Sequence, residues 1–400
     1  MSPKTHKKYD ICVIGGAGHI GLPLGITFAN SGFKTTLLDI NKEGLQKIKD
    51  GKMPFKEESG EKELKKALLS KKLSTSTSPE VICDCDIIVV VIGTPVDEYL
   101  NPDFRGIIRL VDTYIPHFKD GQTLILRSTV LPGTSEKIQN YLYQKGKKIS
   151  VAFCPERIIQ GKALIELKEA PQIISAFSET TLKKVEKIFK KITKKKIIKL
   201  KPIEAELAKL YSNAWRYISF AVANQFYMIS KDHDLDYVKI HEAMTEDYPR
   251  NNGLPMPGFA AGPCLFKDTM QLSAFAHNNF FLGHSAMLIN EGLPAFIVNK
   301  LKQKHNLRDK KIGILGMAFK ANNDDPRDSL AYKLKKIAHT ECKEVFCHDI
   351  YIKDQDFHSL EKVLEKSDII ILATPHNEYK RIDPKKYPKK TFIDIWSFWN

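Results

Sequence analysis

Residues 13–21 read VIGGAGHIG and complete an apolar, strand-like segment, YDICVIG, that begins at Tyr9. Gly16, Gly18 and Gly21 fit the spacing G-x-G-x-x-G. Between a strand and a helix each glycine has its own reason. The first permits a tight turn, the second lets backbone approach a pyrophosphate, and the third lets the helix pack closely on the strand. The helix reads from His19 to Asn30, so His19 and Ile20 stand at an N-terminus whose free N–H groups suit phosphates. Context gives the glycine string its weight: a strand before, a helix after, and a second strand, KTTLLD, that ends in Asp39. An acid at that point suits the hydroxyls of an adenosine ribose and repels a 2′-phosphate, so NAD is expected rather than NADP. The competing reading is that Asp39 merely caps the segment beginning at Asn41.

Outward from this stretch, CDIIVVVIG, QTLILRST, ISVAFCP and PQIISAF are further strand candidates with helical patterns between them. Such alternation predicts an α/β fold, a Rossmann-type parallel sheet with right-handed crossovers, over residues 1–200. The pattern then changes. EAELAKLYSNAWRYISFAVANQFYMISKDH, from Glu204 to His233, reads as one long helix, apolar around much of its circumference. Such a helix needs burial on several sides, which a central helical domain over 201–305 that also forms a subunit interface would provide. Strand–helix alternation resumes in KKIGILG, EVFCHD, DIIILAT and TFIDI, predicting a smaller Rossmann-like α/β domain over 306–400.

Composition excludes little but narrows the class. Of 400 residues, 42% are hydrophobic and 27% charged, as in ordinary soluble proteins. A net charge of +15 would help draw in anionic ligands such as dinucleotides and nucleotide sugars. The lysines of 182–201 alternate with apolar residues and read as a solvated face; no nucleic-acid-binding motif accompanies them. Cysteines stand at 12, 83, 85, 154, 264, 342 and 347, an odd number without zinc spacing. Nothing resembles a secretory signal, and the longest apolar run falls short of a membrane span. The expectation is a reduced, cytoplasmic protein with no membrane partner and no metal.

Two further segments carry chemistry. In GFAAGPCLFKD, Gly258, Gly262 and Pro263 set Cys264 in a turn, with Lys267 and Asp268 on its flank, where a thiolate is favoured. In ELAKLYSNAW, Lys209 and Asn213 lie four residues apart and share a helix face. Two large polar residues on an otherwise apolar helix need partners, and an active site or a plain surface stripe would supply them.

These pieces, with VVVIGTP, RSTVLPGT, CPERIIQGKAL and GMAFKANNDDPRDS, stand in order along the chain, which resembles the UDP-glucose/GDP-mannose dehydrogenase family over nearly its whole length. The resemblance implies two successive oxidations of a UDP-hexose. The C6 alcohol loses hydride to NAD, and Cys264 captures the aldehyde as a thiohemiacetal. A second oxidation leaves a thioester, which water hydrolyses to the uronic acid. By the same resemblance Lys209 stabilises the oxyanion at C6, Asn213 helps hold that oxygen, and Asp268 holds water and relays protons. Thr129 orders water beside the cofactor and Glu156 serves thioester hydrolysis. Thr94, Lys267 and Arg327 would join the cofactor site. Glu156, Arg157, Phe259 and Lys320 would join the substrate site, together with Arg250, whose spacing from the cysteine loop departs from the family's. Asp324 and Asp325 would order the loop that carries Lys320 and Arg327.

The sugar signal points two ways. Pro-Glu-Arg at 155–157 resembles enzymes for N-acetylhexosamines, whereas Lys267-Asp268 after the cysteine resembles enzymes for glucose. Because Arg157 can donate to an acetamido carbonyl, UDP-N-acetylmannosamine is expected ahead of UDP-N-acetylglucosamine or UDP-glucose. A single-step hydroxy-acid dehydrogenase would need neither Cys264 nor the C-terminal unit. A non-catalytic sugar sensor should have lost one of Cys264, Lys209, Asn213 and Asp268. At least a dimer is expected, and Trp396, Phe398 and Trp399 either pack on their own core or on another subunit.

Overall fold

The structure, a computed structural model, describes residues 8–93 and 104–399 and divides the chain into two compact units, the first ending at Tyr211 and the second starting at Ser212. In the first unit the strand, turn, helix and strand expected around the glycine stretch are β1 (Ile11–Ile14), α1 (Gly21–Asn30) and β2 (Thr35–Leu38). The unit continues with α2 (Lys42–Lys49), α3 (Gly60–Leu69), β3 (Leu73–Ser76), β4 (Ile87–Val90), α4 (Phe104–Tyr114), β5 (Thr123–Leu126), α5 (Thr134–Gln144) and β6 (Ser150–Phe153). Then come α6 (Ala163–Glu169), β7 (Gln172–Ala176), α7 (Glu179–Ile192), β8 (Ile197–Lys199) and the start of α8 (Pro202–Asp232). The sheet order β3-β2-β1-β4-β5-β6-β7-β8 puts β1 between β2 and β4, and its two faces meet different core clusters, Ile11 and Val13 in one and Cys12 and Ile14 in the other. Accordingly β1, β2, β4 and β5 are buried at every position, with threonine the sole polar residue type among them, the mark of a parallel sheet covered on both faces.

One strand departs from the all-parallel expectation. β7 runs antiparallel to β6, with Phe153 opposite Ser175. The chain re-enters the sheet at the end where β6 left it, because short α6 buries Leu164 and Leu167 in the core beside α1 instead of crossing back over the sheet.

The second unit holds the rest of α8, then α9 (Tyr237–Thr245), α10 (Leu265–Phe275), α11 (Phe281–Lys304), β9 (Lys311–Leu315), α12 (Leu330–Glu341), β10 (Glu344–His348), α13 (Leu360–Lys366), β11 (Ile369–Leu372) and β12 (Thr391–Asp394). Its four strands are parallel in the order β10-β9-β11-β12. Helical and α/β parts share one core here: Tyr227, Tyr237, Leu293 and Ile297 pack in the same cluster as Ile312, Ile314 and Ile371. The long helix expected over 204–233 is α8, of 31 residues.

By length and composition alone α11 is long and apolar enough to cross a membrane, a test that the core helix of a globular protein also passes. Its Gly283, Ala286, Asn290, Leu293, Ile297 and Leu301 are nevertheless buried along one face, and Glu291 pairs with Lys333 of α12 at 3.0 Å. A stripe at this spacing, with an asparagine inside it, is that of a core helix. The C-terminal aromatics pack on their own chain: Trp396 Nε1 donates to the Ala373 carbonyl at 3.1 Å, and Trp399 Nε1 to that of Tyr379 at 3.0 Å.

Candidate active site

At the glycine turn the structure reassigns one role. The left-handed residue is Gly15, at φ +85°, and not Gly16, the first glycine of the G-x-G-x-x-G spacing. Gly16 is required for closeness, since a Cβ there would lie 2.6 Å from the Leu37 Cβ. At Gly21 a Cβ would lie 2.1 Å from the Gly15 carbonyl oxygen, so the start of α1 can approach the turn only as glycine. Gly18 is exposed, and His19 and Ile20 are half-buried, with the His19 ring 4.1 Å from that of Phe55. Asp39 makes the local bonds of the capping reading and keeps part of its carboxylate exposed. One oxygen accepts the Ala17 N–H at 2.9 Å, tying the turn to β2, and the other accepts that of Asn41 at 3.0 Å. The carboxylate remains partly exposed, with lone pairs left for a ribose diol. A close-packed turn, a helix N-terminus and an acid fit NAD: Gly16, Gly18, Gly21 and Asp39 would hold it. Thr94 lies outside the described residues.

The ends of β5 and β6 bring Thr129 and Glu156 into the same unit. Thr129 is half-buried in the turn leading to α5, and its neighbour Ser128 donates to the Ile92 carbonyl beyond β4. Glu156 is 7% exposed, and its counter-charge is Arg127, 1% exposed, which the sequence reading did not single out. Arg127 donates to Glu156 Oε2 through Nη2, and through Nε at 3.1 Å, while its guanidinium lies 5.0 Å from the centre of the Phe189 ring. The other carboxylate oxygen accepts the Arg157 N–H at 2.8 Å. Arg157 turns its own side chain to the Pro171 carbonyl at 2.6 Å and stays half-buried; burial lowers its pKa from the ordinary value. Glu206, also missed, is buried and accepts from Gly133 N, Ser135 N and Ser135 Oγ, fixing the RSTVLPGT turn to the start of α8. Burial raises its pKa against those bonds. One turn further along α8, Lys209 is half-buried.

In the second unit Cys264 is exposed and immediately precedes α10, where the dipole and free N–H groups favour negative charge. Its carbonyl accepts the Asp268 N–H at 2.8 Å. Asp268 is fully buried in the first turn of α10 and takes the Asn213 amide at 2.5 Å, with Lys267 Nζ 3.9 Å away. Two clues 55 residues apart in sequence thus meet in one hydrogen bond.

The cysteine loop is clasped from several sides. Asn224 of α8 donates to the Gly258 carbonyl at 3.0 Å and accepts its N–H at 2.8 Å. Asn290 of α11 takes the Asn224 amide at 2.9 Å. Gly258 and Gly262 give space to the rings of Trp396 and Phe319, which a Cβ would meet at 2.2 and 2.4 Å. Phe259, expected to touch substrate, is instead 4% exposed, because its ring fills the core beside Tyr227 and Leu293; only its backbone is left for a ligand. Arg250 is exposed on a short turn.

The GMAFKANNDDPRDS loop lies against the cysteine loop through Gly262 N, which donates to the Asp328 carbonyl at 3.2 Å. Lys320 is half-buried, its Nζ 6.0 Å from the centre of the Phe319 ring. Arg327 is gripped by Asp325 through Nε at 2.9 Å and Nη2 at 2.6 Å, and Asp325, then more weakly Cys264, holds its pKa above the ordinary value. Asp325 therefore orders this loop, as expected of the acidic pair. A cleft of about 430 Å³ between α8, α9, α11 and β12 is lined by none of the expected site residues. Among the described residues no group of His, Cys, Asp and Glu is arranged to hold a metal.

Comparison with known proteins agrees with this layout. Three domains of the UDP-glucose/GDP-mannose dehydrogenase family match in order: the NAD binding domain over residues 9–193, the central domain over 203–291 and the UDP binding domain over 313–400. A UDP-N-acetyl-D-mannosamine dehydrogenase of Pyrococcus horikoshii is 32% identical over 381 residues, covering 92% of this chain and 90% of the relative. That of Methanocaldococcus jannaschii is 32% identical over 383 residues, 93% of this chain and 87% of the relative. The solved structure of the Pyrococcus horikoshii enzyme superposes with a TM-score of 0.89 at 30% identity, covering 98% of this chain and all of that one (100%). A UDP-glucose dehydrogenase from Pyrobaculum islandicum shares the fold at a TM-score of 0.87 and 23% identity, over 99% of each chain. With its nucleotide turn, its cysteine loop and all three domain matches in register, the chain belongs to the UDP-glucose/GDP-mannose dehydrogenase family and is an NAD-dependent nucleotide-sugar dehydrogenase.

Proposed function

We propose that this enzyme oxidises C6 of UDP-N-acetylmannosamine to the carboxylate, with Cys264 as covalent nucleophile. The observation that carries the reading is the exposed Cys264 at the start of α10, backed one turn later by the buried Asp268–Asn213 pair. The sugar is supported by the names of the relatives and by Arg157 beside Glu156. When bound, NAD accepts one hydride in each of the two oxidations. Lys209 and Asn213 stabilise negative charge on the C6 oxygen. The Cys264 sulfur adds to the aldehyde carbon and keeps the aldehyde from escaping; once that carbon is a thioester, water adds and the thiol leaves. Asp268 holds water and relays its proton, Glu156 serves hydrolysis of the thioester, and Thr129 orders water beside the cofactor. Lys320 holds substrate phosphate, Arg327 and Lys267 the cofactor, and Arg250 the sugar of a neighbouring subunit.

The working division is 1–200 for NAD, 201–305 for dimerisation and 306–400 for the nucleotide sugar. On α8, Tyr211, Trp215, Val222, Phe226 and Ile229 recur at spacings of three, four and seven and are all exposed, Trp215 by 70%, which supports a homodimer across this stripe. The free cysteines suit the reducing cytoplasm. A nucleotide-linked uronic acid is an activated donor for polysaccharide synthesis. The test counts NADH per sugar with UDP-N-acetylmannosamine, UDP-N-acetylglucosamine and UDP-glucose. Two NADH with the first alone supports the reading. One NADH would make Cys264 incidental, and none with any of the three would place the substrate elsewhere.

A further inference from the structure

The turn after β11 carries a histidine that the active-site reading does not use. His376 is fully buried, with no exposed surface. Its Nδ1 accepts the backbone N–H of Asn322 at 2.9 Å, which leaves the ring proton on Nε2, and Nε2 donates to Asp349 Oδ2 at 3.1 Å. Asp349, just past β10, also accepts from Met317 N at 2.6 Å and Ala318 N at 3.1 Å on that oxygen. Its other oxygen accepts from Tyr351 N at 2.7 Å and Ile352 N at 2.9 Å. Asn322, left-handed at φ +57°, closes the arrangement by accepting the Asn377 N–H at 2.9 Å through Oδ1. The backbone of residues 317–322 is thus strung between a carboxylate at one end and an imidazole at the other, and Lys320 projects from the middle.

We propose that His376 is a positioning residue for the nucleotide-sugar site: a neutral imidazole, braced by Asp349, that sets the backbone at Asn322 and so aims Lys320 without touching substrate. The inference rests on the reading that Lys320 contacts the substrate. The chemistry favours this over a plain core histidine. A space-filling residue would not need one nitrogen as acceptor to a loop amide and the other as donor to a carboxylate saturated by four backbone N–H groups. The role makes the two ring nitrogens unequal. Nδ1 faces the loop that bears Lys320, and Nε2 faces only the brace.

Two substitutions separate them. In His376→Asn the amide oxygen can stand where Nδ1 stood and still accept from Asn322, whereas His376→Gln places its amide where Nε2 stood and loses that acceptor. His376→Gln is expected to raise the KM for the UDP-sugar about tenfold, the scale of one lost hydrogen bond to a buried N–H. Its kcat and its KM for NAD should stay within about twofold. His376→Asn should keep the sugar KM within about threefold. Equal rises in the two variants, or a change confined to kcat or to NAD, would overturn the proposal. Should both variants fail to fold by circular dichroism, hydrogen exchange of the Asn322 amide in the parent enzyme decides, because that N–H is the donor to Nδ1. Slow exchange that bound UDP-sugar slows further supports the role, and exchange as fast as that of an open loop overturns it. Lys320→Ala is measured alongside. No effect there would remove the substrate reading itself, whereas a raised KM there with a normal one in His376→Gln would overturn the role of His376 alone.

Discussion

Replacing Arg127 by Met is the perturbation whose cost can be worked from the structure. The guanidinium is 1% exposed and is the counter-charge of Glu156, itself 7% exposed, while its flat face rests on Phe189. Methionine keeps the contact with the ring, so little packing is lost. What goes is the partner of a buried carboxylate, and breaking such a pair costs about 3–5 kcal/mol. For a unit of roughly 200 residues each kcal/mol is about 2–4 °C in Tm, so the first unit should melt about 6–20 °C lower. Differential scanning calorimetry of the full chain reads this directly. Glu156→Leu in the same chain removes the stranded charge, and the double variant should recover at least half of the loss. A Tm for Arg127→Met within 2 °C of the parent (about 1 kcal/mol or less), or a double variant as unstable as the two losses summed, would refute the claim that this pair holds Glu156 in place.

Asp39→Ala should raise the KM for NAD about 5- to 30-fold, the range for one or two lost charge-assisted hydrogen bonds, with the sugar KM unchanged; steady-state kinetics in both substrates checks it. Trp215→Glu should break the proposed dimer into monomers in light scattering after gel filtration, and an unchanged mass would move the proposed interface off α8. Acid should destabilise the second unit through Asp349. Burial alone would raise its pKa, but the hydrogen bond from His376 and the N–H groups of Ile352 and Met317 outweigh burial and hold it at about 2, against an ordinary 3.8. A folded value below the unfolded one gives stability that is present above pH 4 and lost as pH falls from about 4 to 2, on the order of 2 kcal/mol. Urea unfolding across that window should show a smaller loss in Asp349→Asn than in the parent, and equal losses would refute the assignment to Asp349.

How much was legible in the sequence depends on how far apart the partners lie. Cys264 and Asp268 announce themselves within a few residues, and the glycine turn and Asp39 within one strand–turn–helix–strand unit, because strand, turn and helix periods are local. Even there the spacing could not say which glycine takes the left-handed conformation, since pattern does not encode φ, and Gly15 took it. Phe259 looked like a ligand contact because it stands in the cysteine loop, yet the loop turns its ring into the core. Arg127, Glu206, Asn224 and Asn290 escaped because each sits in a segment with an adequate local explanation, and their partners are 29, 71, 34 and 66 residues away. The signal that could have found them is a polar residue on the apolar face of a helix, as Asn224 is in FAVANQF. Such a residue must have a partner, although the sequence does not say which.

The same limit explains why two like-looking nucleotide units are not alike in use. Gly316, at φ +85°, donates its N–H to the His348 carbonyl at 2.9 Å, just as Gly15, also at φ +85°, donates to that of Leu38 at 2.9 Å. Asp349 takes the Met317 N–H as Asp39 takes that of Ala17. From sequence, then, either acid would serve a ribose. A carboxylate has about four lone-pair sites. Asp39 gives two of them to backbone and is partly exposed, which leaves room for a diol. Asp349 receives four backbone N–H groups and His376, and its side chain is wholly buried, so a ribose would have to displace bonds that hold the Lys320 loop. In the second unit the acid at this position anchors the loop. The number of donors already on the acid, and not the motif around it, decides which unit can take a dinucleotide.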